Sequence, residues 1–423
     1  PDDKLFDKYD KIAYNFDITA REGKDMLTIE KIIHAQRVLE EALYTTEIKR
    51  AAGLTDRCEL FLKTENLQKT GSFKIRGAYY KIACLSPEEK KRGVIACSAG
   101  NHAQGVALAA QKNGIPALIC LPDGAPISKV EATRSYGAEL CLVPGVYDDA
   151  YDRALQLQKE RKLTFIHPFD DEDVIAGQGT IGLEILSQLK NVDAVVVPVG
   201  GGGLISGVAF AVKQMNPNVR VYGVQAAGAA SMLNSLHDGK IECLPSVSTI
   251  ADGIAVKQPG VQTFDYCSKY VDGMVAVTDD EICAAILALI EKQKMIAEGA
   301  GAAPVAAVMA GKLPELDGKR VCCLVSGGNI DVTILSRVIS RGLMMSGRQC
   351  TLTIELLDKP GQLVAVSQII AKCGANVVGV HHEHANAGSE VIGCFLRIDL
   401  ETRDFAQIEE IKRALTQAGF KLC

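Results

Sequence analysis

The sequence predicts an α/β protein in two parts, with parallel sheets flanked by helices through most of its length and a smaller βαββαβ unit at the C-terminal end. Three observations predict it. From residue 58 onward, short β-rich apolar runs alternate with helical patterns, the signature of βαβ units. Several of these runs are apolar without a period of two, as strands buried on both faces are. Near Arg341 the rhythm changes and a shorter alternation begins.

Residues 1–57 carry mostly helical patterns. Strands are then expected at 59–62, 94–97, 117–121, 139–143, 192–199, 219–224 and 320–325. Residues 342–348 read as a linker. Beyond it come a strand at 350–356, a helix at 362–373, strands at 376–382 and 390–399, a helix at 406–418 and a final strand at 421–423. That order is ferredoxin-like. No internal repeat or low-complexity segment interrupts the chain.

The chain's 423 residues suggest two or three domains at roughly 150 residues each. Its 46 basic and 51 acidic side chains leave a formal charge of -5, which gives no electrostatic footprint for nucleic acid or an anionic membrane. A small-molecule substrate is expected instead. The 14 cysteines lie scattered in apolar runs (Cys97, Cys120, Cys141, Cys322, Cys323) without disulfide or paired metal spacing, so they read as reduced thiols. No metal site is expected. The polar N-terminus has no apolar signal region and polar residues break every long apolar stretch, so a soluble, cytoplasmic protein is expected. A start at Pro1 without methionine leaves a trimmed leader open.

Four segments carry candidate chemistry. Thr70-Gly71-Ser72-Phe73-Lys74-Ile75-Arg76-Gly77-Ala78 puts a lysine at a turn-to-helix start with Ser72 as the expected N-cap. Alone, it reads as a solvated helix-start lysine; a reactive amine needs a desolvated setting. Ser98-Ala99-Gly100-Asn101-His102-Ala103-Gln104-Gly105 follows a strand and opens a helix, where backbone N–H groups suit an anion such as a carboxylate. An ordinary turn capped by Asn101 is the alternative. Gly200 to Gly203 follow a strand and precede a helix beginning near Leu204, and side-chain-free residues there let successive N–H groups close around a phosphate. Ser326-Gly327-Gly328-Asn329 places a hydroxyl at a strand's C-terminal edge, where ligands of α/β sheets gather, although a lone serine there also serves as a cap. Glu298, ahead of a small-residue helix, reads as facing either a cofactor or water.

Together these segments resemble the fold-type II, tryptophan-synthase-β-like pyridoxal-phosphate enzymes, most closely their threonine ammonia-lyase (threonine dehydratase) branch, over about residues 25–342. The resemblance implies a two-lobed catalytic domain over 1–341, the smaller lobe (about 75–165) inserted within the larger. It implies pyridoxal phosphate as cofactor, with Lys74 its Schiff-base lysine. Phe73 would pack on the ring, Asn101 would meet the phenolate oxygen, Gly200, Gly201, Gly202, Gly203 and Leu204 would cradle the phosphate, and Ser326 would meet the pyridine nitrogen. Gly253 and Glu298 would also line the cofactor. Ser98, Ala99, Gly100, Asn101, His102 and Gln104 would bind the substrate carboxylate.

Three features choose among relatives. Ala99 stands where serine racemases carry a second serine, Gln225 where they place an acidic metal ligand, and the loop Ala251-Asp252-Gly253-Ile254-Ala255-Val256 resembles the threonine dehydratase version. The implied reaction is deamination of L-threonine to 2-oxobutanoate and ammonia by β-elimination of its hydroxyl, with L-serine to pyruvate as a slower parallel. A serine racemase/dehydratase is the first alternative. An amino-acid-sensing protein with a retired catalytic half is the second, and joint retention of Lys74, the glycine run and Ser326 argues against it. Residues 349–423 resemble an ACT domain, which implies an amino-acid effector near Gly361, Gln362, Leu363 and Asn376 at an interface between copies, in a homodimer or homotetramer. A dimerisation module that binds nothing is the alternative.

Overall fold

A run such as Ala-Val-Val-Val-Pro at 194–198 has no polar face to offer water, and every residue of that strand is buried. Such strands need cover on both sides. In the computed structural model, which describes residues 27–384 and 393–423, they assemble into two sheets of a unit that ends at Asp331. Its strands are β1 (Ile48–Arg50), β2 (Glu59–Lys63), β3 (Val94–Cys97), β4 (Ala117–Pro122), β5 (Glu139–Val143), β6 (Thr164–Phe165), β7 (Ala194–Pro198), β8 (Arg220–Ala226), β9 (Gly273–Val277) and β10 (Arg320–Leu324). The larger sheet has the order β1-β2-β10-β7-β8-β9 and the smaller β5-β4-β3-β6. All neighbours are parallel except the edge pair β1 and β2. The chain leaves the larger sheet after β2, builds the smaller one and returns at β7.

Three of these strands escape the apolar-run pattern. β1 is short and charged, β6 has only two residues, and β9 is mostly half-buried. The helical expectation for residues 1–57 is met by the helix Ile29–Glu40, gives way to turns and β1 (Ile48–Arg50) over residues 41–57, and for residues 1–26 lies outside the described residues.

The helix Glu172–Gln188 is buried almost all round, from Val174 to Ile185. It packs against both the Lys74 helix, Lys74–Ala83, and the helix Gly203–Met215. Glycines set both crossings. A Cβ on Gly177 would stand 2.6 Å from Gly77 Cα, and one on Gly207 would stand 2.3 Å from the Ile175 carbonyl oxygen. Contacts this close exclude side chains and fix two helix starts against one support.

Beside the Lys74 helix lies a buried charge cluster. Arg76, 1% exposed, donates to Glu65 and Glu184 at 2.7 and 2.6 Å, and Lys63 donates to Glu184 at 2.5 Å. Two cations face two carboxylates, so neither sign is left unpaired.

The second unit spans Val332–Cys423. It contains β11 (Gln349–Leu357), β12 (Asn376–His384), β13 (Gly393–Glu401) and β14 (Lys421–Leu422), with helices Gln362–Lys372 and Phe405–Gln417. The sheet order β12-β13-β11-β14, antiparallel throughout, completes the expected βαββαβ arrangement. Of the strand expected at 390–399, residues 390–392 lie outside the described residues. The linker expected at 342–348 is largely helical, because the helix Val332–Met345 runs through Gly342. It stops at Gly347, φ +68, where Gly347 N bonds Met344 O and Arg348 N bonds Leu343 O, the paired closure that a left-handed glycine makes possible.

All 14 cysteines are free thiols. Among the described residues, no helix is long and apolar enough to cross a membrane.

Candidate active site

Lys74 opens its helix. The expected cap, Ser72, does not cap it: Phe73 occupies that position in helical conformation, and Ser72 instead forms an antiparallel bridge with Gly327. Phe73 N bonds Ser326 O at 3.0 Å and Gly328 N bonds Gly71 O at 2.9 Å, so the lysine turn is stitched to the loop after β10. Thr70 sits at φ 72, an unusual conformation for a β-branched residue. The hydroxyls of Thr70 and Ser72 are buried without a hydrogen-bond partner among the described residues. Lys74 Nζ donates to the Pro168 carbonyl at 2.8 Å and lies 5.3 Å from the centre of the Phe73 ring. Burial pushes its amine down to about 8, against the pull of Glu298. A desolvated amine near that value is far more nucleophilic at neutral pH than a solvated lysine.

Asn101 is the first residue of the helix Asn101–Lys112; the cap position belongs to Gly100. Its Nδ2 donates to both Glu298 oxygens, at 2.8 and 3.0 Å, and its Oδ1 accepts from Asn329 Nδ2 at 2.9 Å. Asn329 also holds the Thr70 carbonyl at 2.6 Å. Asn329 belongs to the motif ending at Ser326–Asn329, but nothing in sequence connects it to Asn101. Glu298 is 4% exposed and therefore does not face water; burial, with Asp252 adding to it, raises its carboxyl to about 7. Gly253 lies alongside, since a Cβ there would sit 3.2 Å from Glu298 Oε1.

The glycine run follows β7 and ends in the first turn of the helix Gly203–Met215, with Leu204 second in that helix and Gly202 left-handed at φ +98. A Cβ on Gly201 would lie 2.5 Å from the Phe169 ring, and one on Gly203 would lie 2.6 Å from the Phe169 carbonyl. The Gly201 carbonyl is bound by Thr263 Oγ1 at 2.6 Å and Gly260 N at 3.3 Å. With that oxygen engaged, the run presents the N–H groups that a helix start leaves without intrahelical partners. Asp170 caps the helix Val261–Tyr270 through the N–H groups of residues 261–263. Residues 168–170 carry no motif, so sequence reasoning missed them.

The carboxylate segment begins with Ser98, whose Oγ accepts from Gly100 N at 3.1 Å, and Ala99 offers no hydroxyl. The His102 side chain is not available to a carboxylate. It is 4% exposed, its Nε2 meets the Ile166 carbonyl at 2.8 Å, and burial pushes it down to about 3, so it is neutral and donates that bond. Gln104 is buried as well, 6% exposed; what this turn offers an anion is its backbone. Ser326 follows β10 and is 1% exposed. Gln225 is spent structurally, with Nε2 on Val199 O at 3.2 Å and Oε1 accepting from Leu233 N at 2.8 Å.

In the second unit the expected effector residues do not converge. Gly361, φ 92, precedes the helix that contains Gln362 and Leu363, near the β11 end that pairs with Gly393. Asn376 pairs with Glu401, whose other partner is Gln349 at the start of β11, and its Nδ2 donates to Glu401 at 2.9 Å. The two positions lie at opposite ends of the sheet.

Orphaned hydroxyls beside a desolvated lysine, a backbone cradle that side chains would fill and a neutral serine at a strand edge fit pyridoxal phosphate. The family description "pyridoxal-phosphate dependent enzyme" matches residues 39–327. The chain belongs to this family. Within the pyridoxal-phosphate enzymes it is 51% identical to the L-threonine ammonia-lyase of Thermotoga maritima over 94% of this chain and 99% of that protein. It is 45% identical to the catabolic L-threonine dehydratase TdcB of Escherichia coli over 74% of this chain and 96% of that one. Processed threonine deaminase isoform 2 of Solanum lycopersicum superposes with a TM-score of 0.71 at 40% identity, covering 74% of this chain and 93% of its own. Maize serine racemase superposes with a TM-score of 0.71 at 36% identity, covering 75% and 98%.

Proposed function

We propose that this enzyme deaminates L-threonine to 2-oxobutanoate and ammonia, with L-serine to pyruvate as a slower parallel. The observation that carries this reading is the buried, desolvated amine of Lys74, which supports it as the acid-base group at Cα, with Ala99 offering no hydroxyl for a second one. Similarity along nearly the whole chain to the Thermotoga maritima L-threonine ammonia-lyase supports it.

The backbone of Ser98, Ala99, Gly100, Asn101, His102 and Gln104 binds the substrate carboxylate at a helix N-terminus and turns the Cα–H bond toward Lys74. Lys74 Nζ removes the Cα proton and the β-hydroxyl leaves with a proton as water; the released enamine tautomerises to an imine, which water hydrolyses to 2-oxobutanoate and ammonia. Bound pyridoxal phosphate supplies the electron sink for charge developing at Cα. Gly200 to Gly203 and Leu204 would hold its phosphate, Phe73 would pack on the ring, Asn101, bonded to Glu298, would meet the phenolate oxygen, and Gly253 would leave room alongside. Ser326 would offer the pyridine nitrogen a neutral hydroxyl, which would not hold the ring protonated. A neutral partner there would favour early loss of the β-substituent over transamination.

Lys74→Ala is expected to abolish turnover and to remove the absorbance of the lysine-bound cofactor; retention of both would overturn the assignment. Chiral analysis of serine reactions separates lyase from racemase, and dominant D-serine formation would reverse the reading of Ala99. The catalytic region is assigned to 1–341 and an ACT regulatory domain to 349–423. An amino-acid effector near Gly361, Gln362, Leu363 and Asn376 requires two copies, because one copy separates these positions, so a homodimer or homotetramer in the cytoplasm is the working assembly. Activity unchanged across a panel that includes isoleucine and valine would leave only a dimerisation role.

A further inference from the structure

We infer that the C-terminal unit carries a binding site for a divalent cation of zinc-like softness, formed by Cys394 Sγ, His382 Nε2 and a carboxylate oxygen of Asp358. Ligand atoms of these three residues all lie within 4.8 Å of one another, and His382 Nε2 stands 2.9 Å from Cys394 Sγ. The sheet itself brings them together. Cys394 on β13 pairs with Leu356 of β11 on one side and with His384 of β12 on the other. Asp358 follows β11 directly, and His382 is diagonal to Cys394 on the adjoining strand.

The donor set selects the ion. Magnesium and calcium take oxygen ligands, whereas a thiolate with an imidazole suits zinc, cobalt or nickel. With metal bonds of about 2.3 Å to sulfur and about 2.0 Å to nitrogen, tetrahedral ligand atoms stand roughly 3.5 Å apart. His382 must therefore retreat by roughly half an ångström from its contact with sulfur, and its side chain is exposed on an edge strand. Cys394 is 2% exposed, so the sulfur is fixed by the core while the other two ligands adjust from the surface. Three protein ligands leave a fourth position for water or an outside donor. The ion would tie together the ends of β11, β12 and β13.

The competing account is a core cysteine with an S–H donor that happens to meet a histidine. Cobalt(II) distinguishes the two. Added to metal-stripped, cofactor-loaded full-length protein, it should bind one equivalent and give the thiolate charge-transfer and visible bands of a tetrahedral site, with release of a proton. Cys394→Ser should abolish the charge-transfer band. Because a core substitution can impair folding, His382→Ala and Asp358→Asn are the deciding variants. Each should weaken cobalt and zinc binding by at least the roughly tenfold that loss of an outer-shell partner costs, with basal turnover unchanged. Absence of saturable binding, or affinity and bands unaltered in His382→Ala, would overturn the site.

Discussion

Asn101 holds both carboxylate oxygens of Glu298 through a single amide nitrogen, at 2.8 and 3.0 Å. The carboxyl it holds is buried and raised to about 7. In the folded state Glu298 therefore binds its proton more tightly than in the unfolded chain. Its stability contribution is complete below pH 4.5 and is lost as pH rises through 7. The stake is on the order of 3 kcal/mol. Glu298→Gln in cofactor-free protein should flatten denaturant stability between pH 5 and pH 8, and an unchanged pH slope would refute the shift.

Lys74, pushed down to about 8, must be neutral to bond the cofactor's aldehyde. The rate at which stripped protein takes up pyridoxal phosphate should climb with pH and level off above about 8, followed by absorbance. A climb continuing toward the ordinary lysine value near 10.4 would mean that the amine is not desolvated.

Two glycines separate function from folding. Gly201→Ala would push a methyl into the Phe169 ring at 2.5 Å, and it should weaken cofactor binding at least tenfold with a smaller effect on thermal stability. Gly207→Ala meets the Ile175 carbonyl at 2.3 Å and should destabilise by about 1–3 kcal/mol. Cofactor titration and urea unfolding on both variants give the comparison.

Arg76→Leu should cost about 3–5 kcal/mol, because it strands Glu65 in a buried site while Glu184 keeps Lys63. Restoring neutrality with Glu65→Gln in the same chain should recover part of that loss. A double-mutant cycle in urea measures the coupling, and additive losses would show that the residues act independently.

Two ion pairs cross between the lobes. Lys129, on a small-lobe helix, meets Asp252 at 2.5 Å, and Asp148 meets Lys257 at 3.0 Å. Both are partly exposed, so each is worth roughly 0–1 kcal/mol. Asp252→Asn should raise KM for threonine by less than about fivefold, and the difference should shrink in high salt, which screens exposed pairs.

The strands most deeply buried were legible because an apolar run announces itself; β7 is the clearest case. The Lys74, Asn101 and glycine segments were legible as motifs, because each combines unusual residues within a few positions. What sequence withheld were the partners brought in by topology. The pairing of Asn101 with Glu298, the Pro168 carbonyl on Lys74 and the placement of Phe169 against Gly201 all join residues far apart in the chain. His102 was misjudged because a histidine in a polar motif gives no sign of burial. The helix running through Gly342 was misjudged because that glycine, unlike Gly347, has no positive φ to end it.

Residues 167–170 follow the last strand of the small lobe, yet Pro168 touches Lys74 and Phe169 and Asp170 brace the glycine run and the helix beside it. The lobes therefore cannot be exchanged between relatives as independent cassettes. A chimera that takes only residues 75–166 from a second parent would keep its lysine, its phosphate cradle and their shared brace together, whereas one whose exchanged segment runs on through Asp170 would split the brace from both.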